Sequence, residues 1–116
     1  MIINLFKNAD DALAFAAGTT IFKQGDEPCG VMYVVQEGEV DILVHGERID
    51  TLGPGAFLGE IGLVSQQPRT ATAVAKSDCR LVPIDQQRFN CLVQQTPFFA
   101  IEVMQTIAQR LRVYRG

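Results

Sequence analysis

Gly55-Ala56-Phe57-Leu58-Gly59-Glu60-Ile61-Gly62-Leu63-Val64-Ser65-Gln66-Gln67-Pro68-Arg69-Thr70-Ala71-Thr72-Ala73 is the one stretch of this chain that departs from plain strand-and-turn grammar. Its glycines loosen the backbone where a short helical turn can form from Glu60 to Val64. Amides exposed at the start of such a turn suit an anion. Pro68 fixes the backbone before Arg69, and the planar fork of an arginine can bond two phosphate oxygens at once. Glu60 conflicts with a bare anion site, because a carboxylate repels a phosphate. The conflict disappears for a phosphorylated sugar: Glu60 accepts from a ribose hydroxyl while Arg69 holds the phosphate. Arg69 is also expected to offset the charge of Glu60 when the pocket is empty.

Outward from this stretch, Thr19 to Ile84 reads as short strands separated by turns. Thr19–Phe22, Val31–Val35, Val40–Val44, Ile49–Leu52, Thr70–Ala75 and Arg80–Ile84 are the strand runs, with Gly-containing turns between most of them. Spacing of about ten residues with such turns suggests a sandwich or small barrel. His45-Gly46 reads as a hairpin turn, with His45 in solvent. Leu5, Phe6, Ala9, Leu13 and Ala16 follow helical spacing, with Gly18 suited to a C-cap. Asp85 is the expected N-cap of a helix through Gln94, and Pro97 opens a last helix from about Phe98 to Tyr114. The expected architecture is mainly β: one domain over residues 1–116, with a short N-terminal helix and two C-terminal helices.

Composition narrows the function classes. The chain has 116 residues, 47% apolar and 20% charged, as one ordinary globular domain would have. No apolar run approaches the roughly 20 residues of a membrane span, and the N-terminus has no signal-peptide layout, so a cytoplasmic home and no membrane are expected. The net charge of −3 argues against direct nucleic-acid binding; the one basic cluster is Arg110, Arg112 and Arg115. Cys29, Cys79 and Cys91 are odd in number and show no metal or redox spacing, which suggests three reduced thiols. A single histidine cannot build a multi-histidine metal centre, nor a nucleophile pair from within a turn, so no catalysis, cofactor or metal is expected.

The central stretch resembles the phosphate-binding cassette of the cyclic-nucleotide-binding domain family. The residues that carry this are Gly59-Glu60-Ile61-Gly62-Leu63 followed by Pro68-Arg69-Thr70-Ala71. Ile21-Phe22-Lys23-Gln24-Gly25-Asp26, Met32 to Val35, Glu37 to Val40 and Leu52 to Phe57 extend the likeness, which covers residues 18 to 114. It implies a jelly-roll (double-stranded β-helix) barrel and cAMP or cGMP as ligand. It further implies that Arg69 pairs with the cyclic phosphate and Glu60 with the ribose 2′-hydroxyl. The backbone at Gly59 and Ile61 would help hold sugar and phosphate, Thr70 would face the phosphate or the base, and Ala71 would offer its amide. By the same likeness Arg110 reaches back toward the cassette and Tyr114 caps the base. Regulatory output would then lie in an unidentified effector protein or domain. The alternative is an interaction module of the same fold that signals by docking without nucleotide.

The last helix carries two apolar stripes. Phe99, Val103 and Ile107 make one; Ile101, Met104, Ala108 and Leu111 make the other, at coiled-coil spacing. One stripe can cover the barrel and leave the other free for a partner helix, which suggests a homodimer through residues 101 to 111; the alternative is a single broad core-facing stripe.

Overall fold

A computed structural model describes residues 5–27, 29–65 and 67–114, apart from the side chains of Val64, Val113 and Tyr114. In chain order the elements are β1 (Leu13–Phe15), β2 (Thr20–Phe22), β3 (Val31–Glu37), β4 (Val40–Val44), β5 (Glu47–Leu52) and β6 (Phe57–Leu58). They continue with α1 (Glu60–Val64), β7 (Thr72–Ala75), β8 (Cys79–Asp85), α2 (Gln86–Gln95) and α3 (Phe98–Tyr114). Two antiparallel four-stranded sheets result, ordered β1-β8-β3-β6 and β2-β7-β4-β5. The jelly-roll reading holds, as two packed sheets that are not hydrogen-bonded into a closed ring.

The first sheet is buried on both faces, and its sequence shows why. In β3, Met32 and Val34 point to one side and Val35 to the other; in β8, Val82 and Ile84 oppose Cys79 and Leu81. One set packs with Phe57 against Phe6, Leu63, Phe99 and Val103 of the helical layer. The other set meets Val40, Ile42, Leu52, Ala73 and Ala75 of the second sheet and Ala71 just before β7. A strand buried on both faces reads as a near-continuous apolar run, as Val31 to Val35 does. The layers are helices, first sheet, second sheet.

Phe99 anchors the helical layer. Its ring lies 5.6–6.3 Å from the rings of Phe6, Phe57 and Phe89, tilted or edge-on. Truncating such a buried ring costs about 3–5 kcal/mol. Val103 and half-buried Ile107 continue the same face of α3. The helix is thereby pressed along the sheet, and Arg110, three turns beyond Phe99, is carried to the cassette. Asp85 caps α2 as predicted, accepting from the Arg88 amide at 2.8 Å.

One prediction fails. The helical spacing of Leu5 to Ala16 breaks off early: Leu5 and Phe6 are helical, Lys7 and Asn8 turn, and Leu13–Phe15 is a strand paired with Cys79–Leu81. The side chain of Gln36 donates to the Phe6 and Ala9 carbonyls at 2.8 and 2.9 Å and holds the incoming segment on the sheet. The open edge of β8 offers Leu13–Phe15 a ladder that an isolated helix turn could not match. Gly18 (φ 88°) accordingly turns the chain from β1 to β2 and is not a helix cap. His45 and Gly46, both at positive φ, form the two-residue turn between β4 and β5, with His45 exposed as expected. Cys79 is buried, while Cys29 and Cys91 are exposed, and all three are free thiols. Among the described residues no helix is long and apolar enough to cross a membrane.

Candidate functional site

A small cleft of about 40 Å³ is lined by Gly59, Glu60, Ile61, Gly62, Pro68, Arg69, Thr70, Ala71 and Arg110, together with the apolar Ile42 and Leu58. Seven of the eight residues predicted for the site therefore meet in one place: Gly59, Glu60, Ile61, Arg69, Thr70, Ala71 and Arg110. The side chain of the eighth, Tyr114, lies outside the described residues, as does Arg115.

Local structure explains the convergence. Gly59 sits at φ 76°, a left-handed conformation that lets the chain leave β6 and enter α1 at once. Glu60, the first residue of α1, is thus turned inward and is only 3% exposed. Across the cleft the backbone of Arg69 is clamped by the turn after β2. The Arg69 amide donates to the Asp26 carbonyl and the Gly25 amide donates to the Arg69 carbonyl, each at 2.8 Å. Asp26 tightens that turn by accepting from the Lys23 amide at 2.9 Å.

Arg69 as a whole is 6% exposed. It donates from Nη1 to the Gly59 carbonyl and from Nη2 to the Val31 carbonyl, each at 3.1 Å, with the Cys29 thiol 3.7 Å from Nη2. The ring of Phe22 lies 4.3 Å from its central carbon. All these partners are neutral, and among the described residues no carboxylate pairs with it. Gly62 comes so close that a Cβ there would stand 2.5 Å from Nη1. Among the described residues Nε–H and one Nη1 hydrogen have no acceptor.

Glu60 is served differently. The expectation that Arg69 offsets its charge is not met: Arg110 reaches from α3, donates from Nη1 to Glu60 Oε1 and from Nη2 to the Phe57 carbonyl. The α3 register set by Phe99 puts Arg110 within reach, and the carbonyls around Arg69 hold it away from Glu60. A buried carboxylate without such a partner would be costly, about 3–5 kcal/mol when one member of the pair is removed. Tyr33, half-buried beside Cys29 and Arg69, has its phenol pushed up from the ordinary value; burial dominates, Cys29 adds to it and Arg69 opposes it.

Thr70 is exposed and Ala71 buried, so only the first presents a free side chain. Three contributors were not picked out from the sequence: Phe22, the Val31 carbonyl and the close backbone at Gly62. The spacing of Gly59 and Gly62, which places both on one side of α1, was the available signal for the last. Among the described residues no group of three or more His, Cys, Asp or Glu is placed to hold a metal.

Known proteins resemble this chain over the same region. The sequence model of the family described as "Cyclic nucleotide-binding domain" matches residues 12–96. The cAMP-dependent protein kinase regulatory subunits of Eremothecium gossypii and Debaryomyces hansenii are each 37% identical, over 81 and 86 residues, 70% and 72% of this chain. The matched regions span only 18% and 19% of those relatives. The crystal structure of Thermus thermophilus catabolite activator protein superposes with a TM-score of 0.79 at 30% identity, covering 95% of this chain and 54% of that one. A structure from a study of a cyclic-GMP-dependent signalling pathway that regulates bacterial phytopathogenesis gives a TM-score of 0.77 at 28% identity, covering 96% and 93%. With the match spanning both sheets and the whole of the cassette, the chain belongs to the cyclic nucleotide-binding domain family.

Proposed function

We propose that the chain is a single regulatory sensor domain whose cleft takes cAMP or cGMP, with the cyclic phosphate on Arg69 and the ribose 2′-hydroxyl on Glu60. The observation that carries this is the buried guanidinium of Arg69, held only by neutral partners among the described residues. A buried cation is stable when an anion completes its surroundings, and the phosphodiester of a cyclic nucleotide supplies one charge. Among the described residues only Oε1 of Glu60 has a partner, Arg110 Nη1–H, and Oε2 accepts from the sugar. Gly59, Ile61 and Ala71 offer backbone, and Thr70, exposed at the mouth, meets phosphate or base. The family likeness assigns the base to Tyr114, whose side chain lies outside the described residues. The role is regulatory and not catalytic, and three free thiols suit a cytoplasmic setting.

The outer stripe of α3 supports a partner. Ile101, Met104 and Leu111 are 45%, 56% and 53% exposed, while Phe99 and Val103 are buried. A homodimer through residues 101 to 111 covers that stripe and links the ligand, through Arg110, to an effector protein or domain. Calorimetric titration with cAMP and with cGMP tests the function directly. Saturable one-to-one binding of either is expected, and binding of neither overturns the reading.

A further inference from the structure

We infer that Phe22 is a positioning residue for anion binding: its ring holds the guanidinium of Arg69 without neutralising it, where an ordinary buried arginine would be held by a carboxylate. The inference rests on the proposed role of Arg69 and concerns how that side chain is kept ready. The ring centroid stands 4.3 Å from Cζ, close enough for its negative face to attract the cation. All five N–H donors of a guanidinium lie in its own plane. A neutral ring leaves the charge of the guanidinium intact, whereas a carboxylate would take in-plane donors that a phosphate needs and cancel the charge that attracts it.

The backbone is arranged to deliver this ring. β2 pairs with β7 through Thr20↔Val74 and Phe22↔Ala73, a one-residue shift between the two positions. Such irregularities re-aim side chains. The next residues form the Lys23–Asp26 turn whose Gly25 and Asp26 clamp the Arg69 backbone. One short segment, Phe22 to Asp26, thus fixes Arg69 at both ends. Gly59 leaves the ring its room: a Cβ there would stand 3.4 Å from the Phe22 ring edge and 2.7 Å from Nη1.

The test replaces Phe22 by Leu, by Tyr, and by phenylalanines bearing one and three ring fluorines, which drain the ring's negative face and nearly keep its shape. Affinity for cAMP and cGMP is read by calorimetry, and the Arg69 Nε–H chemical shift by NMR on the ligand-free protein. Phe22→Leu is expected to weaken binding roughly 5- to 30-fold, Phe22→Tyr to stay near wild type, and the fluorinated series to fall in order. The wild-type Nε–H should show an upfield ring shift that Phe22→Leu abolishes. Equal affinities for Leu and Tyr, a flat fluorine series, or an Nε–H shift indifferent to Phe22 overturns the inference. If wild type binds neither nucleotide, the functional reading falls, and the Nε–H shift in ligand-free protein still decides whether the ring holds Arg69.

Discussion

Two arginines reach the same cleft from different layers of the molecule, and they are held in different ways. Arg69, leading into the second sheet, is fixed by carbonyls, a thiol and a ring, so its charge is uncancelled by any described carboxylate. Arg110, from the helical layer, gives its charge to Glu60 and a second donor to the Phe57 carbonyl. The difference teaches what each is for. On the proposed function, the cation with neutral partners is the one that takes the anion. The cation already paired joins two elements, α1 and α3, and on the same proposal it is the link by which a ligand on Glu60 would act on α3.

The sharpest way to break the comparison is to delete each charge in turn. Arg69→Leu should weaken cyclic-nucleotide binding by about 30-fold to several thousand-fold, the cost of truncating one partner of a buried charge pair. Its melting temperature should hold or rise, because it removes a buried cation without a counter-charge. Arg110→Leu should do the reverse: it strands the Glu60 carboxylate and costs stability of about 3–5 kcal/mol, with a smaller direct effect on phosphate affinity. Calorimetry and thermal denaturation of the two variants measure both axes. Equal losses of affinity would erase the distinction.

A second test moves Arg69 without removing it. Gly62→Ala places a Cβ 2.5 Å from the present position of Nη1, so the guanidinium of buried Arg69 must shift. One charge-assisted hydrogen bond to the phosphate should be lost or misaligned, about a 10- to 150-fold loss of affinity. The double variant Gly62→Ala/Arg69→Leu should bind no worse than Arg69→Leu alone. Additive losses would mean that Gly62 acts through something other than Arg69.

Glu60 sits between the two arginines, and its test is gentler. A 2′-deoxy cyclic nucleotide leaves its carboxylate short of one donor, about 1 kcal/mol or fivefold, because Arg110 still satisfies part of it. Glu60→Gln should narrow the gap between the ribose and deoxyribose ligands. Identical affinities of wild type for the two would remove Glu60 from ribose recognition.

How much of this arrangement could be read from the chain follows the range of each interaction. Strands β3 and β8 were legible because both faces are buried and the runs are nearly all apolar. The Asp85 cap was legible because its partner, Arg88, is three residues away. β1 was not: Leu13, Ala14 and Phe15 fit a helix face as well as an alternation, and the choice is made by the edge of β8, whose residues lie at 79–81. Glu60 and Arg69 were legible through their motif, but the partner of Glu60 was misread. A carboxylate nine residues upstream of Arg69 looks like its mate, while Arg110 reaches it from 50 residues away by way of a helix register that Phe99 sets. Phe22 was invisible for the same reason: nothing in Ile21-Phe22-Lys23 says that the ring ends on an arginine.

The smallest effect reports on the charge of Arg69 from the side. Burial pushes the Tyr33 phenol above its ordinary value of 10.0, Cys29 pushes it further, and Arg69 pulls it back. Because native Tyr33 holds its proton more tightly than the unfolded chain does, its contribution to stability is complete below pH 10.0 and is lost as pH rises through the native value. Arg69→Leu removes the opposing charge, so Tyr33 should ionise at still higher pH. Bound cyclic nucleotide should shift it the same way, since a phosphate on the guanidinium screens it from the phenol. Arg110→Leu should leave Tyr33 where it is, because that charge already belongs to Glu60. A pH titration of the ring-carbon NMR signal of Tyr33 in the three proteins, with and without ligand, makes the measurement. If Tyr33 responds to Arg110 as much as to Arg69, the two cations are not held differently, and the division of labour between the floor of the cleft and its helical wall is wrong.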